Sequence, residues 1–120
     1  MQPDERDAAL LWDMLDAARA VNEFVSSRKY NDYENDRMLR GAVERNIEII
    51  GEAANHVSDA FRQAHPEIYW KGLVGQRNVL IHEYGEIKHG RIWAVATQRI
   101  PELIKLLESL IPTPPKPETE

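Results

Sequence analysis

Apolar residues recur at three- and four-residue intervals along most of the chain, beginning with Leu11, Leu15, Ala18, Val21 and Val25. That spacing places them on one face of a helix. Asp4, with Glu5 and Asp7 just behind it, suits an N-cap and acidic first turn, so a first helix is predicted over about Asp4 to Ser27. The polar stretch Arg28 to Asn35 interrupts the pattern and reads as turning and capping residues. A second series, Leu39, Ala42, Val43, Asn46, Ile50, Ala53, Val57 and Phe61, predicts one helix that ends before Pro66, because proline disfavours helix in the residue ahead of it. At 1.5 Å per residue that helix would be about 40 Å long.

A third helix is predicted from near Tyr69 to about Gly85, carrying Leu73, Val74, Leu80 and Ile81. The last apolar series runs from Ile92 through Trp93, Val95, Ala96, Ile100, Leu103, Ile104 and Leu107 to Leu110, with Pro101 kinking or restarting it. No internal repeat and no alternating strand pattern accompanies these series. Long helices joined by short turns mean antiparallel neighbours, so the fold class is all-α, an up-and-down bundle of four to five helices over residues 1–111. Residues 112–120 hold 4 of the 7 prolines and read as a disordered, proline-rich tail.

Composition narrows the chemistry. The 120 residues are 42% hydrophobic, an ordinary globular value, and form one domain. No apolar run approaches the roughly 18 residues of a membrane span, and the N-terminus lacks the basic-then-apolar order of a secretion signal, so a soluble, cytoplasmic protein is expected. The absence of cysteine excludes disulfides, thiolate zinc and a cysteine nucleophile. His56, His65, His82 and His89 form no pair at ligand spacing with acids on a shared helical face, so no metal or other cofactor is expected. A net charge of −5 argues against coating nucleic acid by bulk electrostatics. The charge is uneven, however. Residues 1–36 carry nine acids against four bases, whereas Arg37, Arg40 and Arg45 and then Lys71, Arg77, Lys88, Arg91 and Arg99 make two locally basic stretches.

One position breaks the amphipathic rule. On a helical wheel Leu73, Val74, Leu80 and Ile81 span about 120°, and Arg77 points into the middle of that arc. A guanidinium there must be met by an acid such as Glu48 or Glu52, by a bound anion, or by a second chain that leaves it in a wet groove. Asn78 and His82, four apart, share a side of the helix, but Arg77 and His82 lie about 140° apart. Bringing those two together requires either a helix that deforms after Ile81 or a site assembled across a two-fold axis, and the second is favoured.

The string Arg77-Asn78-Val79-Leu80-Ile81-His82-Glu83-Tyr84, preceded by Ile49-Ile50-Gly51-Glu52-Ala53-Ala54 and Pro66-Glu67-Ile68-Tyr69-Trp70 and followed by Ile92-Trp93, forms one ordered set. Over about Arg37 to Leu110 the chain closely resembles the HepT-like toxins of the HEPN superfamily. The resemblance implies a HEPN-like dimeric helical bundle whose Arg-x4-His-x-Tyr motifs meet in a cleft between subunits and cut RNA without a metal. It also implies a toxin–antitoxin module in which a minimal nucleotidyltransferase antitoxin silences the toxin by transferring AMP to the motif tyrosine, here Tyr84. Arg77 matches the motif arginine, Asn78 the polar residue after it and His82 the histidine. Gly85-Glu86 stands where relatives commonly place an aromatic, a departure that bears on the shape of the cleft wall.

The residue types suit that chemistry. A free imidazole, with a reference pKa near 6.5, can take or give a proton at neutral pH, whereas a guanidinium can only bind and stabilise anion. His82 would act as acid or base while a ribose 2′-hydroxyl attacks the adjacent phosphate, with Arg77 holding the phosphate oxygens and Asn78 orienting the phosphate or imidazole. Arg37, Arg40 and Lys71 are candidates for an extended RNA track. Trp12, Trp70 and Trp93 are expected in the core and at seams. The alternative function is a non-catalytic HEPN dimer that binds a nucleotidyltransferase or nucleotide.

Overall fold

A computed structural model describes residues 2–82 and 87–111. Helix α1 (Glu5–Val25) begins as expected, with the Asp4 carboxylate accepting from the Asp7 backbone N–H at 2.7 Å. Its apolar face is fully buried at Leu11, Met14, Leu15, Ala18 and Val21. Burial of each large side chain there is worth about 1.5–3 kcal/mol. Ser27, in the left-handed region with φ of 62°, turns the chain out of α1.

Residues 28–35 are not simply a turn. They contain a short helix, α2 (Tyr30–Glu34), whose Tyr33 is completely buried against Trp93, with ring centroids 5.4 Å apart. The Tyr33 hydroxyl has no hydrogen-bond partner among the described residues, and burial pushes its pKa far above the ordinary phenol value.

The single long helix expected over Leu39 to Phe61 is two helices, α3 (Arg37–His56) and α4 (Asp59–Ala64). The break has a specific cause. Ser58 caps α4, accepting from the Phe61 N–H, while the buried carboxylate of Asp7 accepts from both the Ser58 N–H at 2.9 Å and the Ser58 hydroxyl at 2.6 Å. These bonds stabilise an extended residue where apolar periodicity alone would continue the helix, so α3 is about 30 Å long at 1.5 Å per residue.

Helix α5 (Trp70–His82) follows. The last helical run comprises α6 (His89–Ala94), a π-helical turn (Val95–Arg99) and α7 (Ile100–Leu110). Pro101 is the second residue of α7, within the first turn, where the N–H that proline lacks would have no partner inside α7, and the π turn just before it closes with the Ile100 N–H donating to the Val95 carbonyl oxygen. Helix α1 packs on α3 and α7, α2 on α3 and α6, and α5 chiefly on α3. The all-helical architecture is as expected, with four principal helical runs and two short helices. Among the described residues there is no strand, and no helix is long and apolar enough to cross a membrane. The proline-rich segment 112–120 lies outside the described residues.

Candidate active site

The site is set by how closely α5 approaches α3. A Cβ placed on Gly51 of α3 would lie 2.3 Å from the Arg77 Cβ and 2.6 Å from the Leu73 carbonyl oxygen, so only glycine permits this contact. The next residue, Glu52, then reaches the guanidinium. Arg77 Nη2 and Nε both donate to Glu52 Oε2, at 3.0 and 3.2 Å, and Arg77 Nη1 donates to Asn78 Oδ1 at 3.0 Å. The other Glu52 oxygen faces His56 Nε2 at 3.7 Å. The Arg77 side chain is only 25% exposed, and an acid of the same chain meets its charge. Of the three ways to satisfy that arginine, the structure takes the acid, and Glu52 rather than Glu48.

The apolar stripe expected around Arg77 is narrower than its spacing implied. Leu80 is buried and Leu73 and Val74 are partly buried, but Ile81 is 37% exposed. Helix α5 meets α3 on one side only, so the flank carrying Ile81 faces outward. The opposite face is polar and open. Lys71, Gly75, Asn78 and His82 are all exposed, and their spacing of four, three and four residues puts them on one stripe. The helix is regular from Trp70 through His82, with no deformation between Ile81 and His82. Arg77 therefore stays on the α3 side and His82 on the outer stripe. His82 has no hydrogen bond or ion pair among the described residues. Asn78 joins the two faces, because it sits on the outer stripe and holds the inner guanidinium.

The remaining candidates are placed as follows. Lys71 begins the outer stripe, two turns before Asn78. Arg37 and Arg40 occupy the opposite end of α3, twelve or more residues and thus about 18 Å or more along the axis from Glu52. Arg40 is engaged there, donating to the Glu34 and Tyr33 carbonyl oxygens that end α2. Tyr84 and Gly85 lie outside the described residues. Trp70 is buried and donates its indole N–H to the His65 carbonyl at 2.9 Å; Trp12 and Trp93 are half-buried. Among the described residues no group of three or more His, Asp or Glu side chains converges to hold a metal ion.

Sequence reasoning missed Asn55 and Gln63. They border an open depression of about 630 Å³ between the end of α3, α4 and the outer stripe of α5, together with Lys71, Val74 and Asn78. The available signal was that Asn55 stands three residues after Glu52, on the same helical face.

Chemically, the arrangement offers a guanidinium fixed on one edge by a carboxylate, an amide, and an exposed imidazole one turn beyond that amide. That set suits binding an anion and moving a proton. Comparison with known proteins agrees with the motif. The family model described as ribonuclease HepT-like matches residues 14–110. A Methanocaldococcus jannaschii protein designated a proposed RNase, MJ1380, is 40% identical over 100 residues, covering 83% of this chain and 92% of that one. A Caldanaerobacter subterraneus protein with the same kind of designation, TTE0752, is 36% identical over 98 residues, covering 82% and 88%. The "Probable ribonuclease HepT" of Thermococcus cleftensis is 33% identical over 100 residues, covering 83% and 91%. No solved structure matches significantly. With its Arg77-to-His82 motif on α5 and a family match spanning most of its length, the chain belongs to the HepT-like ribonuclease family of the HEPN superfamily.

Proposed function

We propose that the protein is a metal-independent endoribonuclease that works as a homodimer. The observation that carries this reading is the geometry of α5. Arg77 and His82 sit about 140° apart on one regular helix, so a single chain does not close both on one phosphate, while the exposed C-terminal end of α5, at Ile81 and His82, offers a face at which two copies can meet and leave a cleft. In that cleft Arg77, steadied by Glu52, binds the scissile phosphate and offsets the charge that grows on it. One His82 removes the proton from the ribose 2′-hydroxyl as its oxygen attacks phosphorus. The bond from phosphorus to the 5′-oxygen breaks, and the second copy's His82 protonates that leaving oxygen. The products are a 2′,3′-cyclic phosphate and a free 5′-hydroxyl. Acid–base catalysis of this kind contributes about 10²- to 10⁴-fold.

In the cell the enzyme acts as the cytoplasmic toxin of a toxin–antitoxin pair. Its antitoxin is a minimal nucleotidyltransferase that transfers AMP to Tyr84, two residues beyond His82. A bulky anion attached there competes with RNA for the Arg77 charge. The names of the relatives support the ribonuclease reading. Expressing wild type and His82→Ala separately in cells without the antitoxin tests it: the wild type should arrest growth and degrade RNA, and the variant should do neither. The second reading, a dimer that binds a nucleotidyltransferase or nucleotide without cutting, is favoured by one observation, the occupation of the Arg77 Nε edge by Glu52. Identical, harmless behaviour of the two chains would support it.

A further inference from the structure

We infer that the depression beside Asn78 holds one unpaired base of the RNA, next to the phosphate being cut; this rests on reading the Arg77–His82 site as a ribonuclease centre. Its volume of about 630 Å³ falls within the range of sites for small organic groups. Asn55, Gln63 and Asn78 bring three amide groups to it; Asn55 and Gln63 can donate and accept, and Asn78, whose oxygen already accepts from Arg77, adds its NH2 donors, which together suit the hydrogen-bonding edge of an unstacked base. Val74 and the nearly buried Trp70 ring, whose N–H is already donated to His65, supply an apolar wall for the base plane.

The cations agree with a nucleotide rather than a bare anion. Asp59 pairs with Arg62 Nη2, which cancels one positive charge, but Arg62 Nε is buried with no acceptor among the described residues. Lys71 is exposed with no ion partner among them. One net positive charge beside three amides suits a base with its attached phosphate. Gly75 adds an independent observation. It lies in the middle of α5, where glycine weakens a helix, and a Cβ there would meet nothing within 4 Å. Packing among the described residues gives no reason for it, whereas the close approach of a ligand to the helix backbone does. The depression and His82 share the outer stripe, so a strand laid along α5 with a base beside Gly75 runs on past Asn78 toward the imidazole.

The test uses the full-length chain with a short, unstructured RNA of random sequence, cut ends being read by sequencing and binding by fluorescence anisotropy. The wild type should cut with a preference at one position beside the break. Asn55→Ala and Gln63→Ala should each flatten that preference about ten-fold and raise KM more than they lower kcat. Gly75→Leu should raise KM about ten-fold while melting no lower than wild type, since leucine favours helix. Gly41→Ala, at a helix-interior glycine of α3 equally free of neighbours, should cut like wild type. Unchanged preference and KM in all three pocket variants would overturn the inference and leave the ribonuclease reading standing. A wild type that binds the RNA without cutting it, with binding lost in Gly75→Leu, would keep the pocket and sink the enzyme. Absence of both binding and cutting would overturn both. A change of oligomeric state in Gly75→Leu, with base preference intact, would make the hollow a seat for a second subunit and also overturn the inference.

Discussion

Helices α1 and α5 are held by different physics. Eight of the 21 residues of α1 are buried, and a buried carboxylate at its start fixes the beginning of α4. Only Trp70 and Leu80 of the 13 residues of α5 are buried, and its register against α3 depends on one glycine and one ion pair. The first is a scaffold stabilised by area removed from water; the second is a lightly packed carrier of exposed chemistry. Substitutions in α1 should therefore change stability, and those on α5 and the facing turn of α3 should change activity.

The strongest challenge to that division is Leu15→Ala, which should cost about 2–5 kcal/mol in denaturant unfolding, and a loss below 1 kcal/mol would mean that α1 is not the scaffold. Next is Gly51→Ala, where helix propensity favours the variant but a Cβ 2.3 Å from that of Arg77 does not fit. Overpacking should win, at about 1–3 kcal/mol, and a stabilised variant would show that the α3–α5 contact is looser than described. Glu52→Ala sharpens the contrast from the other side. Its pair with Arg77 is half exposed at the Glu52 end and worth at most about 1 kcal/mol of stability, yet a guanidinium freed to wander should lower RNA cleavage by about one to two orders of magnitude. Equal activity would remove Glu52 as a positioning residue.

How much was legible in the sequence follows the same line. The Asp4 cap and the apolar face of α1 were readable, because a long amphipathic helix buried on one side writes its period directly into the chain. The break at Val57–Ser58 was not, since the carboxylate that stabilises it, Asp7, lies 51 residues away. Helix α2 was hidden because a polar segment became helical only through tertiary burial of Tyr33. On α5 the anomaly of Arg77 was visible, and Glu52 was one of two acids in reach. The choice between them depended on Gly51 letting the helices touch, which is a matter of three-dimensional approach. Apart from the three-residue spacing of Asn55 from Glu52, Asn55 and Gln63 gave no signal, because exposed amides fit any solvated helix face.

The smallest expected effect concerns Glu44. Burial, more than the countervailing charges of His89 and Arg40, raises its carboxyl above the ordinary value. Between the ordinary and the raised value the folded chain therefore keeps a proton that the unfolded chain has released. This contribution favours folding at acid pH and is lost as pH rises through the raised value. Glu44→Gln should accordingly raise Tm slightly at pH 7 and leave it unchanged near pH 3, read by thermal unfolding at the two pH values. A variant that melts lower at pH 7 would show that the charges of His89 and Arg40 outweigh burial.

Under the proposed mechanism Arg77 and His82 of two copies cut RNA through the ribose 2′-oxygen. The direct measurement is cleavage of a defined RNA by purified wild type in EDTA, with the ends analysed chemically, beside the same strand carrying a single 2′-deoxy sugar at the cut position. The expected result is a 2′,3′-cyclic phosphate from the RNA and no cut at the deoxy position. Cleavage at that deoxy position, or activity abolished by EDTA, would contradict it.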